Sequence, residues 1–333
     1  MCLYPILIKN PRYIPNKKNG GHPPKADDKR KLYVPVGCGN CIECRRQLAN
    51  NWKVRLSEEL RALDSTCAAR LDIKAYFVTL TFSEEKLNWY LNTLGRSNDI
   101  NNIAAAAIRH FLERWRRKYK KSLRHWLVTE LGHEGTERLH LHGIVFTNEE
   151  KINTLEERWR NGWVHIGEYC NEKTINYIVK YITKVDNDHK NYKAKVFASA
   201  GIGSNYVYFI DEKRNKQNGR GIKFNKYNGE DTKEYYLTKE GFKISLPMYY
   251  RNHIYNEEEK EKLWVNKLNK KEKYVDKVKY QLETDEDIAI YLNALKTAQK
   301  DNIKNGYGQR KWKEDKYTNL LIKLQKKWDE DKE

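Results

Sequence analysis

The sequence predicts an α+β protein with a central antiparallel sheet, helices packed mainly on one face, an N-terminal cysteine-rich element and a C-terminal helical extension. Predicted segments follow the order strand, helix, strand, strand, which favours an antiparallel sheet. Cysteines concentrate near the N-terminus, and the C-terminal residues become dense in Lys and Glu. We therefore expect a cysteine-rich element with a basic helix, a core that contains the sheet, and a charged helical extension, over residues 1–66, 67–250 and 251–333.

The charge balance indicates a polyanionic partner. The chain carries 64 Lys and Arg against 45 Asp and Glu, a formal net charge of +19, and its pI is about 9.4. Nucleic acid is the usual partner of so basic a chain. No apolar run approaches the roughly 20 residues needed to span a bilayer, which argues against a membrane partner. The apolar run at the N-terminus is too short for a secretory signal, so we expect a cytoplasmic location.

Three cysteines, Cys38, Cys41 and Cys44, follow one another at two-residue spacing before a predicted helix. Cys-x-x-Cys-x-x-Cys is a metal-ligand spacing, and Cys2 is the candidate for a fourth ligand. The interpretation is a structural Zn²⁺ site that ties the N-terminus to the start of a helix over Glu43–Leu63. The same spacing also suits an iron–sulfur cluster, and reduced cysteines without a metal are the remaining alternative.

The segment Ala75–Phe82, AYFVTLTF, is a run of β-branched and aromatic residues of strand length. We expect it near the middle of the sheet, with Thr79 and Thr81 on one face and apolar residues on the other. The segment Ile103–Tyr119 follows as a predicted amphipathic helix, because its apolar residues recur at the helical period while Arg and Lys add charge.

Two predicted strands, His125–Leu131 and Leu139–Phe146, flank a glycine-containing loop, as in a hairpin. Side chains alternate along a strand, so His140 and His142 share a face. A symmetric hairpin sets Glu130 opposite His140, which brings one carboxylate and two imidazoles together. Such a set predicts a site for Mg²⁺ or Mn²⁺ with positions left for a phosphate oxygen. The alternative is a polar sheet face without a metal, and a one-residue slip of register would turn Glu130 away.

A short segment, Trp163–Gly167, WVHIG, follows the histidine strand after a stretch of helical character. Its length and composition predict an edge strand of the sheet. We interpret His165 within it as a structural residue rather than a metal ligand.

The segment Lys173–Val185, KTINYIVKYITKV, predicts an amphipathic helix. Its isoleucines and valines cluster on one side, while Tyr177 and Tyr181 fall on the opposite side with Lys180 and Lys184 beside them. If the apolar side packs on the sheet, both phenols are displayed, where they suit attack on a phosphodiester with help from a metal and nearby cations. The alternative is a tyrosine pair that fills a groove or stacks on bases.

RLHLHGIVF resembles the His-hydrophobic-His motif of HUH endonucleases, AYFVTLTF their preceding strand motif, and NYIVKYITK their tyrosine-containing helix. The layout also resembles the replication initiators of small single-stranded DNA bacteriophages, the gokushovirus type within Microviridae. Ala200 stands where those initiators have a proline. The residues that carry the resemblance, in chain order, are Cys38, Cys41, Cys44 and Arg45, Thr79–Phe82, His140 and His142, Tyr177, Lys180 and Tyr181, and Ala200–Gly203.

This resemblance implies an HUH endonuclease core with a ferredoxin/RRM-like fold, and a rolling-circle initiator that nicks single-stranded DNA at a replication origin. A tyrosine would become linked to the 5′ phosphate. The implied partners are origin DNA, a host DNA polymerase that extends the freed 3′-hydroxyl, and a host helicase, in the cytoplasm of a bacterial host. The residues implied for the site are the metal ligands His140, His142 and Glu130, the nucleophiles Tyr177 and Tyr181, and Lys180, which would position the phosphate or the metal.

Two other interpretations remain open. A relaxase-like nickase of plasmid mobilisation or replication would use similar chemistry. A non-catalytic, zinc-containing nucleic-acid-binding protein would use the histidines and tyrosines only to stack and pair. The sequence contains no P-loop G-x-x-x-x-G-K-[ST], so we expect any strand separation to come from another protein.

Overall fold

The computed structural model describes residues 1–63, 72–94, 100–132, 138–167, 169–186, 192–207, 234–238 and 241–308. The chain divides into two compact units. The larger is Leu48–Lys260, and the smaller combines Met1–Gln47 with Glu261–Glu333. Within the described residues, every helix is too short or too polar to cross a membrane.

The strands and helices are numbered in chain order. The strands are β1 (Ile6–Lys9), β2 (Tyr33–Val36), β3 (Lys74–Thr81), β4 (Arg124–Leu131), β5 (Leu139–Thr147), β6 (Val164–Gly167), β7 (Val196–Ala198), β8 (Tyr235–Leu237), β9 (Lys243–Ser245), β10 (Glu272–Val275) and β11 (Val278–Gln281). The α-helices are α1 (Ile42–Leu63), α2 (Glu84–Thr93), α3 (Ile100–Tyr119), α4 (Glu149–Ile152), α5 (Leu155–Trp159), α6 (Glu172–Thr183), α7 (Met248–Ile254), α8 (Glu257–Asn269) and α9 (Asp285–Lys304).

A five-stranded sheet organises the larger unit, in the spatial order β6-β3-β5-β4-β7. Each neighbouring pair is antiparallel, which confirms the predicted α+β class. The histidine strand β5 is central, β3 lies beside it, and β6 is an edge strand, as the sequence predicts. In the hairpin of β4 and β5, Glu130 lies opposite His140, which is the register expected from a symmetric hairpin.

One face of the sheet carries the larger apolar cluster. Side chains of β3, β4 and β5 that alternate onto this face, among them Val78, Leu127 and Leu141, pack with α3 and the Trp159 ring of α5. The helix α3 contributes Phe111 and Trp115, which recur at helical spacing and are both buried. This packing bears out the amphipathic helix that the sequence predicts.

The opposite face is covered in part by two more helices, so helices pack on both faces rather than mainly on one. Trp126 and Ile144 of the sheet pack with Leu56 of α1 and with Ile178 and Ile182 of α6. The second face therefore has its own apolar core under these two helices. The polar side chains of β3, β4 and β5 lie on this same face, because successive residues of a strand alternate.

Gly143 lets the central strand pass close to its neighbour. A β-carbon at this position would lie 2.0 Å from the Trp126 carbonyl oxygen and 2.8 Å from the Leu127 α-carbon. Any larger residue would push β4 and β5 apart. Since His142 is the preceding residue, Gly143 helps to keep the histidine strand in register.

The smaller unit is made of short elements. The strand β1 pairs with β2, and β10 pairs with β11, both antiparallel. Its buried residues Leu3, Cys38, Cys41 and Val275 form one cluster, against which Tyr291 of α9 packs. The described part of the predicted charged extension contains α8, the β10-β11 hairpin and α9. The last predicted helical segment, within residues 309–333, lies outside the described residues.

Candidate active site

His142 is hydrogen-bonded at both ring nitrogens. The Thr79 hydroxyl lies 3.0 Å from Nδ1, and a Glu130 carboxylate oxygen lies 2.9 Å from Nε2. An ionised carboxylate can only accept, so Nε2 carries the proton and Nδ1 accepts from the Thr79 hydroxyl. Phe77 stacks on the same imidazole, with ring centroids 6.3 Å apart and an angle of 12°. Sequence reasoning placed Thr79 on this face but did not recognise it as the partner of a histidine.

Glu130 joins the histidine strand to the tyrosine helix. One carboxylate oxygen contacts His142, and the other accepts a hydrogen bond of 2.6 Å from the Lys184 ammonium group. Burial of the carboxyl opposes ionisation, but the hydrogen bonds from His142 and Lys184 prevail and lower the pKa of Glu130 to about 2. Glu130 therefore carries a full negative charge at neutral pH.

His140 lies beside His142 on the same face, with ring centroids 6.2 Å apart. A β-carbon at Gly132 would lie 3.3 Å from the His140 Nε2 atom, so the glycine leaves room for the imidazole. Burial and the neighbouring His142 lower the pKa of His140 below its usual value. Its imidazole is therefore neutral at pH 7, which is the form that binds a metal.

The two tyrosines of α6 meet at their hydroxyl groups, which lie 2.6 Å apart. The Tyr181 ring lies flat on His142, with centroids 4.9 Å apart and an angle of 5°. Tyr177 is 48% exposed, whereas Tyr181 is only 9% exposed and belongs to the apolar cluster under α6. The expectation that both phenols are displayed is therefore wrong for Tyr181, because stacking on the imidazole covers its ring.

The Tyr181 hydroxyl holds its proton more firmly than a free tyrosine does. Burial raises its pKa, and so do the hydrogen bond with Tyr177 and the negative charge of Glu130. A tyrosine must lose this proton to attack phosphorus, so the pocket as it stands favours the neutral phenol. Additional positive charge is needed here before Tyr181 becomes a nucleophile.

Lys184, rather than Lys180, reaches the centre of the cluster. Its ammonium group contacts Glu130 and lies 5.7 Å from the Tyr181 ring centroid. Lys180 is exposed on the same helix. The sequence holds a signal that singles out both lysines, because Tyr-x-x-Lys occurs twice in succession, as Tyr177–Lys180 and Tyr181–Lys184.

Four cysteines form a separate cluster in the smaller unit. The Sγ atoms of Cys2, Cys38, Cys41 and Cys44 all lie within 4.8 Å of one another. Two of the sulfur pairs, Cys38 with Cys44 and Cys2 with Cys41, are 3.9 Å apart. A disulfide bond requires about 2.05 Å between sulfurs, so these are separate thiol groups that converge on one point.

Backbone amides point at these sulfurs, as they do in metal sites built on a tight turn. The amides of Asn40 and Cys41 lie 3.4 and 3.3 Å from the Cys38 Sγ atom. The amides of Tyr4 and Cys38 lie 3.3 and 3.2 Å from the Cys2 Sγ atom. Such donors stabilise thiolates. The cluster is therefore chemically suited to a metal ion.

Comparison with known proteins supports a role in replication. Residues 75–186 match the family model for the replication-associated protein ORF2. Over 243 residues the chain is 28% identical to the replication-associated protein ORF2 of Spiroplasma virus 4, a span that covers 64% of this chain and 70% of that protein. No solved structure matches the chain significantly. The matched segment 75–186 contains Thr79, Glu130, both histidines of the cluster, both tyrosines and Lys184.

Proposed function

We propose that this protein is a rolling-circle replication initiator that nicks and rejoins single-stranded DNA through a 5′-phosphotyrosine intermediate. One observation carries the proposal: the paired hydroxyls of Tyr177 and Tyr181 lie 2.6 Å apart beside the ring of His142. The similarity of this segment to replication-associated proteins supports the same conclusion.

The proposed reaction is a transfer of one phosphodiester bond. A tyrosine oxygen attacks the phosphorus, the bond to the 3′ oxygen breaks, and the phenolic proton leaves as the 3′-hydroxyl gains one. Rejoining reverses these steps, because a 3′-hydroxyl attacks the phosphotyrosine and the phenol leaves. Lys184 lies where its ammonium group can offset the charge that develops on the phosphate oxygens.

The polar residues of the cluster suit a divalent cation such as Mn²⁺ or Mg²⁺. The donor set is a neutral imidazole at His140, a second imidazole at His142, and an ionised carboxylate at Glu130. When bound, the cation would polarise a non-bridging phosphate oxygen and supply the positive charge that a tyrosinate requires. Thr79 orients His142 through Nδ1, the kind of outer contact that fixes a metal-ligating imidazole.

Two tyrosines at one site allow two successive transfers. One tyrosine holds the 5′ end of the displaced strand while the other cuts the newly made origin. Because their hydroxyls lie within hydrogen-bond distance, either can reach the same phosphate with a small movement. The freed 3′-hydroxyl would prime a host DNA polymerase, and a host helicase would separate the strands, in the cytoplasm of a bacterial host.

The cysteine cluster is proposed to hold a structural Zn²⁺. A tetrahedral site with Zn–S bonds of about 2.3 Å has sulfurs about 3.8 Å apart, and the observed pairs are 3.9 Å apart. The ion would link the N-terminal Cys2 to the first turn of α1, where Cys44 lies. Its role would be to stabilise the fold of the smaller unit.

Metal-dependent nicking tests the proposed function. Single-stranded oligonucleotides that tile both strands of the DNA encoding this chain would be incubated with the protein and Mn²⁺. We expect cleavage at one position, loss of cleavage with EDTA, and a loss of at least about 100-fold in His140→Ala. Cleavage that persists undiminished in EDTA, or in His140→Ala, contradicts the proposed site.

Metal analysis tests the zinc site independently of catalysis. We expect one Zn²⁺ per chain by mass spectrometry and a lower content in Cys44→Ser. Cys170→Ser is the matched control, because Cys170 lies outside the cluster. In the wild-type protein, Co²⁺ substitution should give the absorption of a thiolate-ligated tetrahedral ion. Iron in place of zinc, or no bound metal, contradicts the proposal.

A further inference from the structure

An indole and an imidazole are exposed side by side at the edge of the sheet. Trp163, which immediately precedes β6, is 60% exposed. Its ring stacks on His165, with centroids 5.7 Å apart and an angle of 25°. His165 is exposed as well, so the interpretation of it as a structural residue does not account for its environment. We call Trp163 and His165 the edge aromatic pair.

The edge aromatic pair shares a sheet face with the candidate active site. His165 lies directly opposite Thr79, and Thr79 lies directly opposite His142. Directly opposed residues point to the same side of a sheet. Neighbouring strands are about 4.8 Å apart, so the pair lies about 10 Å from His142 along this row.

The backbone beneath the indole is fixed to the neighbouring strand. The Trp163 carbonyl oxygen accepts hydrogen bonds of 2.9 Å from both the backbone amide and the hydroxyl of Thr81. At Gly162 φ is +151°, and a β-carbon there would lie 2.6 Å from the Thr81 carbonyl oxygen and the Ser83 amide nitrogen. This close approach requires glycine. The indole is therefore presented from a rigid position.

We infer that the edge aromatic pair stacks on an unpaired base of the single-stranded DNA next to the phosphate being cut. This inference rests on the proposed function and extends it to the contacts that hold the substrate strand. The pair is continuous with the site along one row of the sheet, and aromatic rings stack on bases of any sequence. The net charge of +19 supplies the attraction for the phosphate backbone. In a duplex both faces of each base are already stacked, so the pair selects single strands.

Binding to a strand that cannot be cut isolates this contact. The affinity for a labelled oligodeoxythymidine would be measured by fluorescence anisotropy in EDTA, with Tyr177→Phe and Tyr181→Phe present in every protein. We expect Trp163→Ala to lower the affinity by about 5- to 100-fold and Trp163→Phe to retain most of it. An oligonucleotide with abasic sites should bind Trp163→Ala and its Trp163 parent equally.

Trp89→Ala is the matched control. Trp89 is also exposed, at 49%, but lies on α2, next to Tyr90 of the cluster on the opposite face of the sheet. We expect its affinity to equal that of the parent. Equal affinity of Trp163→Ala and its parent overturns the inference, as does an equal loss in Trp89→Ala or an equal loss for duplex DNA. Thermal melting of each variant identifies a loss that comes from misfolding, and Trp163→Phe then decides the result.

The two proposals fail differently. If the nuclease assignment is wrong but the edge aromatic pair binds bases, Trp163→Ala still weakens binding in EDTA while no nicking is seen. If the edge aromatic pair is wrong, wild-type protein still nicks in Mn²⁺ and Trp163→Ala binds as tightly as its parent.

Discussion

Glu130 and Lys184 form an ion pair of 2.6 Å between the histidine hairpin and the tyrosine helix. The same carboxylate is a proposed metal ligand, so a divalent cation and the Lys184 ammonium group compete for it. Lys184 is 45% exposed, and an exposed ion pair contributes only about 0.2–1 kcal/mol. Metal binding can therefore displace the lysine, which then becomes available to the phosphate.

This competition predicts that Lys184→Ala binds Mn²⁺ up to about fivefold more tightly than the wild-type protein in the absence of DNA. The same variant should nick more slowly, because it lacks the cation beside Tyr181. Isothermal titration calorimetry with Mn²⁺ measures the first effect. Lys180→Ala is the matched control and should bind Mn²⁺ as the wild type does. Weaker Mn²⁺ binding by Lys184→Ala would show that the lysine does not compete.

Thr79 is expected to tune the metal site through His142. Thr79→Val keeps the side-chain shape but removes the hydroxyl that donates to Nδ1, which frees the imidazole to rotate. We expect a loss of about 10- to 100-fold in Mn²⁺ affinity. Thr81→Val, two residues along the same strand, removes a hydroxyl that contacts the Trp163 carbonyl instead and should retain Mn²⁺ affinity. Equal losses in the two variants would point to strand damage.

The two tyrosines should contribute unequally to the first cut. Tyr177 is 48% exposed, while Tyr181 is 9% exposed and stacked on His142. The pKa of Tyr181 is also raised, first by burial and then by Tyr177 and Glu130. We therefore expect Tyr177→Phe to slow initial nicking about tenfold or more relative to Tyr181→Phe. Single-turnover nicking of both variants measures this ratio, and a ratio below one reverses the assignment.

His125 predicts a loss of stability at mildly acidic pH. Its ring is buried and bonds the Leu123 carbonyl, and burial lowers its pKa in the folded protein. The unfolded chain then binds the proton more readily, so this contribution is complete above pH 6.5 and is lost as the pH falls towards the lower folded pKa. Denaturant unfolding from pH 7.5 to 5 should show a shallower pH slope in His125→Gln than in wild type. Parallel slopes would contradict this prediction.

Much of the core could be predicted from sequence because its periodicities are strong. Alternation along AYFVTLTF and RLHLHGIVF predicted β3 and β5 to within one residue of their ends. The symmetry of the hairpin predicted the pairing of Glu130 with His140. The helical period of NYIVKYITK likewise predicted α6 and its buried isoleucines. In each case the signal is local, because one element fixes which side chains share a face.

Contacts between elements could not be predicted in the same way. The helical period gives the direction of Tyr181 around α6 but not the tilt of that helix on the sheet, so the stacking on His142 was missed. The Lys184 contact with Glu130 depends on the same tilt. The exposure of Trp163 depends on where α1 and α6 stop covering the second face, which is a property of packing and not of any single segment.

The most direct test of the central proposal is to map a covalent DNA–protein adduct. Wild-type protein would be incubated with Mn²⁺ and the oligonucleotide that it cleaves, then denatured, digested and analysed by mass spectrometry. We expect a 5′-phosphate ester on Tyr177 or Tyr181 and no adduct in the variant with both tyrosines changed to Phe. An adduct that survives in that double variant, or nicking by the wild type without any adduct, would contradict the assignment.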